Sequence, residues 1–130
     1  MDGARKTSRV LLASAARTAD AAGPRLAAPH HHAARLYLTV TVAPGAGGLQ
    51  VFLRGYDSVS GTAVEMSSGG PSITQTGTYV YELRPGPETA PFGGIVEIVN
   101  RTLPVDWDAI VKHGDASSYT YSLSCELSRP

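Results

Sequence analysis

The sequence predicts an all-β protein, an antiparallel β-sandwich (jelly-roll or immunoglobulin-like) of about eight strands with an extended N-terminal arm. Apolar and polar residues alternate strictly from Tyr119 to Leu127, which is typical of a strand with one buried face. The same alternation returns over residues 36–42 and 49–53. Turns rich in glycine, proline and serine separate these segments, as expected for a sandwich rather than a parallel α/β sheet.

Seven strands are predicted in a sandwich domain that covers residues 35–130. They span residues 35–43, 49–55, 62–67, 78–84, 95–99, 103–112 and 119–127. The glycines at 45, 47 and 48 predict a hairpin connection, because a phosphate-binding loop would lead into a helix instead of a strand. In the strand over 103–112, alternation places Trp107 with Val105 on the inward face and both Asp106 and Asp108 on the solvent face.

Residues 1–34 are predicted to form the N-terminal arm. Within it, residues 8–16 fit either a short alanine-rich helix or a first strand. The strand is favoured, because a lone short helix needs its own packing partner. Residues 18–34 show no periodicity and hold two glycine and proline breaks and three histidines, so a long loop is expected there.

Charge is unevenly distributed along a chain whose formal net charge is zero. Residues 1–35 hold six basic and two acidic side chains, a net charge of +4, and residues 36–130 hold five basic and nine acidic ones, a net charge of −4. A basic arm on an acidic body predicts docking to an acidic surface such as a neighbouring copy, and the alternative is a solvated tail. The candidate partner-binding residues are Arg5, Lys6, Arg9, Arg17 and Arg25.

Cys125 is the single cysteine, so no intrachain disulfide can form, and its parity predicts a small buried apolar residue. Such a chain is compatible with assembly in a reducing cytoplasm. No apolar run approaches the roughly 20 residues that span a bilayer, so no membrane is expected as a partner. No nucleic acid is expected as a partner either. The apolar stretch over 10–16 is too short for a signal peptide, and an arginine-rich transit peptide is the alternative.

Candidate chemistry is sparse, and no catalytic residue, metal site or cofactor is predicted. The run His30 to His32 has ligand chemistry, but adjacent side chains point in different directions and rarely close one metal site. His113 stands near Asp115 as half of a catalytic pair would, although both fall in an apparent turn. A small enzyme is therefore the weakest of the functional hypotheses.

Aromatic residues offer a different function. A carbohydrate-binding module would expose a row of rings, and Tyr79, Tyr81, Tyr119, Tyr121 and Trp107 all fall on predicted strands. The tyrosines, however, share parity with leucines on those strands, which predicts rings that face the core with hydroxyl groups at its rim.

Several turn and packing segments resemble a group of small virion structural proteins of tailed bacteriophages. The segments that carry the resemblance are residues 49–61 (LQVFLRGYDSVSG), 75–81 (QTGTYVY), 83–86 (LRPG), 103–107 (LPVDW) and 118–122 (SYTYS). The resemblance covers roughly residues 9–127 and rests on turn and packing signatures rather than on catalytic residues.

This resemblance implies a β-sandwich that decorates the capsid or lies elsewhere on the virion. It implies a non-enzymatic protein, assembled in many copies and bound to the major capsid protein or another virion protein. The sequence thus predicts a capsid decoration protein located on the virion surface. A tail or neck component and a carbohydrate-binding sandwich are the alternatives.

Overall fold

A computed structural model of the chain describes residues 6–27, 31–86 and 94–128. Within these residues ten β-strands and no helix are present. In chain order they are β1 (Lys6–Arg17), β2 (Ala21–Ala22), β3 (Leu26–Ala27), β4 (Ala33–Val42), β5 (Leu49–Tyr56), β6 (Ala63–Glu65), β7 (Gly77–Arg84), β8 (Ile95–Asn100), β9 (Asp106–His113) and β10 (Tyr119–Ser128). In this part of the chain, therefore, no helix is available that could cross a bilayer.

The strands form two sheets packed as a sandwich, which confirms the predicted fold class. Sheet A has the strand order β1-β10-β4-β7-β8, and sheet B has the order β2-β9-β5-β6, with β3 also paired to β9. All eight predicted strands are present. The two additional strands, β2 and β3, are only two residues long, too short to produce a periodic signal in the sequence.

One strand pair departs from the predicted antiparallel arrangement: β8 runs parallel to β7. Ten residues separate Arg84 from Ile95 in the sequence. At about 3.3 Å per residue they are long enough to return along all eight residues of β7. A tight hairpin would have forced antiparallel pairing, and the sequence contains no two-residue turn at this point.

The N-terminal residues pack on the sandwich, and the strand favoured for residues 8–16 is present as part of β1. β1 pairs with β10 over its whole length, from Lys6 opposite Ser128 to Arg17 opposite Tyr119. The loop predicted over 18–34 is in part wrong, because β2 and β3 bind to β9 and satisfy the polar groups along its backbone. A separate arm that ends at residue 34 stays a prediction.

The core is formed by the inward faces of both sheets. Its largest fully buried side chains include Trp107, Tyr119, Tyr121, Leu36, Leu38, Leu49 and Leu123. Cys125 is buried among them as predicted, and burial raises the pKa of its thiol to about 11. Val105 was expected to share the inward face of Trp107, but it is 61% exposed because β9 begins only at Asp106.

Candidate docking edge and charged face

The basic residues predicted to bind a partner do not gather into one patch. Arg5 and the side chain of Lys6 lie outside the described part of the structure. Arg9 and Arg17 lie toward opposite ends of β1, in sheet A, whereas Arg25 lies beside β3, in sheet B. The three described arginines therefore have different surroundings.

Arg17 binds within its own sheet. Its guanidinium donates to the backbone carbonyl oxygens of Ala13 at 2.6 Å and Tyr121 at 2.8 Å, and it lies 4.8 Å from the centre of the Tyr121 ring. One of these carbonyl groups, that of Ala13, lies within the second register shift of β1, between Leu12 and Ala15, and the other lies on the paired strand β10. Arg17 thus completes the hydrogen bonding of a distorted strand end.

Arg25 is also engaged within the chain. Its guanidinium donates two hydrogen bonds to the carboxylate of Asp106, at 2.7 and 2.5 Å, and stacks 4.0 Å above the Tyr56 ring. The hydrogen bonds from Arg25 lower the pKa of Asp106. Two parallel bonds to a carboxylate and an aromatic face below are the geometry that suits arginine best.

A second ion pair lies next to this one on the outward face of sheet B. The guanidinium of Arg54 donates to both carboxylate oxygens of Asp108, at 2.8 and 2.6 Å, and the Tyr56 hydroxyl donates to the same carboxylate at 2.7 Å. Asp108 was predicted to be a solubilising residue on the solvent face, but only 3% of it is exposed. Burial is possible because three hydrogen bonds compensate the charge.

Lys112 and Glu65 form a third ion pair on the same surface, with the ammonium 4.5 Å from the centre of the Phe52 ring. We call this surface the charged face. Its members are Arg25, Arg54, Glu65, Asp106, Asp108 and Lys112. Three cations and three anions leave it with no net charge, and each charge has a partner on the face itself.

The first half of β1 differs from the charged face because the backbone polar groups on its outer side pair with no described strand. β1 is one of the two edges of sheet A, and among the described strands it pairs only with β10. Arg9 is exposed and forms no salt bridge with any other described residue, and Val10 is 69% exposed. Beyond this point Gly23 approaches the carbonyl group of Leu11, so we define the open edge as residues 6–10.

The opposite edge of sheet A is β8. Its register places Glu97 beside Tyr81, so the Glu97 side chain points toward the space between the sheets. There it accepts hydrogen bonds from the backbone N–H and the hydroxyl of Ser68. A surface groove of about 550 Å³ runs along β8, lined by the carboxylates of Glu65 and Glu97, by Arg101 and by apolar residues.

His113 and Asp115, which were considered as half of a catalytic pair but not predicted to be one, do not bond to each other. The Nε2 atom of His113 lies 2.9 Å from the hydroxyl oxygen of Tyr121, while the Asp115 carboxylate accepts the backbone N–H of Ser117 at 2.9 Å. Burial lowers the pKa of His113. Among the described residues no group of three or more histidine, cysteine or acidic side chains could hold a metal ion, and His30 lies outside them.

The carbohydrate-binding hypothesis requires an exposed row of aromatic rings, but four of the five rings considered are buried. Tyr81, Tyr119, Tyr121 and Trp107 are each at most 4% exposed, so their faces cannot stack on a sugar. These rings fill the core, as their shared parity with leucine predicted.

Several important residues were missed by sequence reasoning. Arg54, Tyr56 and Glu97 were not singled out, although alternation along β5 already places the first two on its polar face. The signal that identifies them is their register opposite Asp108 and Tyr81, which only the assembled sheets supply.

Comparison with known proteins finds resemblance in structure alone. No protein-family model and no curated protein sequence matches the chain. The VP2 subviral particle of infectious bursal disease virus contains a similar structure, with a TM-score of 0.55 and 10% sequence identity. The match covers 96% of this chain and 32% of the VP2 chain, so this chain spans about a third of that capsid protein's length.

Two further structures match less well. VP2 of the Gx strain of the same virus has a TM-score of 0.45 at 12% identity, covering 96% of this chain and 32% of VP2. A Bacillus endospore appendage protein, from a family of disulfide-linked pili, has a TM-score of 0.41 at 13% identity, covering 97% of this chain and 90% of the pilus protein. At 10% identity, the first match, with its TM-score of 0.55, shows a shared β-sandwich fold alone.

Proposed function

We propose that this chain is a non-enzymatic structural protein of a virion, present in many copies and attached to the outer capsid shell as a decoration protein. Its partner is the major capsid protein or another virion protein. The observation that carries the proposal is the sandwich shared with a viral capsid protein over 96% of this chain. The resemblance of its turn segments to virion proteins of tailed bacteriophages supports the same assignment.

The distribution of polar groups supports a role in assembly. The charged face pairs its own charges and the aromatic rings of the core are shielded, so the described surface shows no cluster arranged for chemistry. The open edge, in contrast, offers a strand whose outer side no described strand pairs with, and it carries an exposed arginine and an exposed valine. Surface complementarity is what a many-copy structural protein requires.

Among the basic residues proposed to bind a partner, those near the start of β1 are the best candidates. Arg17 and Arg25 have partners within the chain, so of the proposed set Arg9 is the described residue best placed to contact another protein. Lys6 and Arg5 precede it and extend the same positive charge.

Mass spectrometry of purified virus particles from the source culture tests the proposal directly. We expect the chain in the particles at a copy number comparable to that of the capsid subunits, and cryo-electron microscopy should place it on the outer shell. Density in the tail or neck would support a virion protein but reject the decoration role. Absence of the chain from the particles would reject the proposal altogether.

A further inference from the structure

We propose that the open edge of one copy pairs with strand β8 of the next copy, so that sheet A continues from molecule to molecule. The occupant of each free edge is then a second copy of this chain, bound head to tail. This inference deepens the proposed function, since it supplies the contact by which a many-copy protein would associate.

Strand direction is the first argument. β1 runs antiparallel to β10, β10 to β4, and β4 to β7, while β8 runs parallel to β7. The two edges of sheet A therefore point in opposite directions. When two copies lie side by side in the same orientation, β1 of one meets β8 of the other in antiparallel fashion, which is the more stable pairing.

Charge is the second argument. β1 carries Lys6, Arg9 and Arg17 and no acidic residue, whereas β8 carries Glu97 and no basic one. Pairing β1 with β1 or β8 with β8 about a twofold axis would bring like charges together, which is unfavourable. Pairing β1 with β8 brings opposite charges together. Glu65 also lines the groove beside β8 but is paired with Lys112, so Glu97 is the acidic group that this edge offers to a second copy.

Side-chain parity is the third argument. Arg9 lies opposite Cys125, and Glu97 lies beside Tyr81, and both of these partners face the core. Arg9 and Glu97 therefore point to the same side of sheet A from its two edges. In the joined sheet, Arg9 of one copy can reach Glu97 of the next. This carboxylate accepts two hydrogen bonds from Ser68 and retains capacity for more.

The outward side of the junction is apolar. Val10 lies opposite Ser124 on the outer face of sheet A, and Ile98 lies beside Glu82 on the same face. With Arg9 opposite Glu97 in the joined sheet, Val10 lies diagonal to Ile98 on this outer face, as neighbours across a strand pair do.

Sedimentation velocity on the purified full chain over a range of concentrations tests the contact. We expect oligomers whose mass grows with concentration beyond the dimer, because a head-to-tail contact leaves a free edge at each end. Raising the ionic strength to about 1 M, where the Debye length is about 3 Å, should weaken this association. A monomer at all concentrations, or a dimer that grows no further, overturns the proposal.

Charge reversal makes the test specific. Arg9→Glu and Glu97→Arg should each raise the dissociation constant at least about tenfold, because each places like charges across the contact. Mixing the two variants should restore association, since every junction in an alternating oligomer then joins opposite charges. Failure of the mixture to associate, while both variants keep the circular dichroism spectrum of the native chain, contradicts the pairing.

A second pair of variants avoids Glu97, whose replacement also removes the Ser68 contacts. Val10→Asp should weaken association at least about tenfold by placing a charge against the apolar junction. Val42→Asp, on the interior strand β4 and 55% exposed, is the matched control and should leave association unchanged. Equal effects of both substitutions would overturn the proposal.

These outcomes are independent of the test of function. If the chain is found in particles but Arg9→Glu associates normally, only the head-to-tail contact fails. If the chain associates head to tail but is absent from particles, only the virion assignment fails.

Discussion

The charged face of sheet B and the open edge of sheet A use the same residue type in opposite ways. On the charged face, Arg25 and Arg54 each bind a carboxylate with two hydrogen bonds within the chain. On the open edge, Arg9 extends from a strand whose outer side no described strand occupies. A region that satisfies its own polar groups contributes to folding, while a region that leaves them open is available to a partner.

β1 itself is divided between these two conditions. The Arg17 guanidinium binds a backbone carbonyl group of its own strand and one of β10, whereas no described strand pairs with the outer side of the first residues of β1. Two register shifts separate the halves. Register shifts and positive charges also protect natural edge strands from unwanted pairing. Variants that act on only one half of β1 therefore distinguish an edge that binds a partner from one that is merely protected.

The largest effect is expected at the buried ion pair of the charged face. Asp108→Ala should lower the free energy of unfolding by about 2–3 kcal/mol, because Arg54 loses its carboxylate and the Tyr56 hydroxyl loses its acceptor. Since the Arg54 side chain is 22% exposed, the loss is smaller than for a fully buried pair. Urea unfolding measures it.

The neighbouring pair supplies the control. Asp106→Ala removes the partner of Arg25, whose side chain is 47% exposed, so water can replace the lost contacts. Its effect on urea unfolding should be clearly smaller than that of Asp108→Ala. Equal losses would show that burial does not distinguish the two ion pairs.

Two buried tyrosines, Tyr121 on β10 and Tyr81 on β7, test what a satisfied hydroxyl group contributes to the stability of the core. Tyr121→Phe should cost about 1 kcal/mol, because His113 loses its hydroxyl partner. Tyr81→Phe should be neutral or stabilising by up to about 1 kcal/mol, since the Tyr81 hydroxyl is buried without a hydrogen-bond partner among the described residues. Thermal unfolding compares the two, and a larger loss for Tyr81→Phe would contradict this account.

The pH dependence of stability tests the surroundings of His113, whose ring contacts the Tyr121 hydroxyl. Burial lowers the pKa of this imidazole below its ordinary value of 6.5, so the folded chain favours the neutral ring. As the pH falls below 6.5 the unfolded chain binds a proton first, and stability decreases until the folded form is protonated too. Above 6.5 the group contributes no pH dependence.

Urea unfolding between pH 8 and pH 5 measures this effect. The difference in stability between the native chain and His113→Gln should be constant above pH 6.5 and shrink below it. The carboxylates of Asp57, Asp106 and Asp115 have lowered pKa values and titrate below 3.8, outside this range. A difference that does not change with pH would mean that His113 is protonated equally in both states.

The smallest expected change in stability comes from comparing Arg17, in the closed half of β1, with Arg9, in the open half. Arg17→Ala should cost about 1 kcal/mol or less, because the carbonyl groups that it covers become accessible to water. Arg9→Ala should leave thermal unfolding unchanged, since Arg9 forms no salt bridge with another described residue. A loss on Arg9→Ala as large as that on Arg17→Ala would remove the distinction between open and closed halves.

Much of the fold could be predicted from local patterns. All eight predicted strands are present, and the burial of Cys125, Tyr119 and Tyr121 follows from their alternation with polar residues. Whether the basic residues selected by charge bind a partner stays a prediction. Of the arginines selected by charge, Arg9 is open, whereas Arg17 and Arg25 proved to be engaged within the chain.

Alternation determines which face of a strand is buried, because that property depends on residues two positions apart and is visible in any short segment. Which strands become neighbours depends on how the whole set of buried faces packs. Only the tertiary structure could therefore place Arg25 on Asp106, 81 positions away, and Arg54 on Asp108, 54 positions away. It likewise set β8 parallel to β7 and made β1 and β8 the two free edges of one sheet.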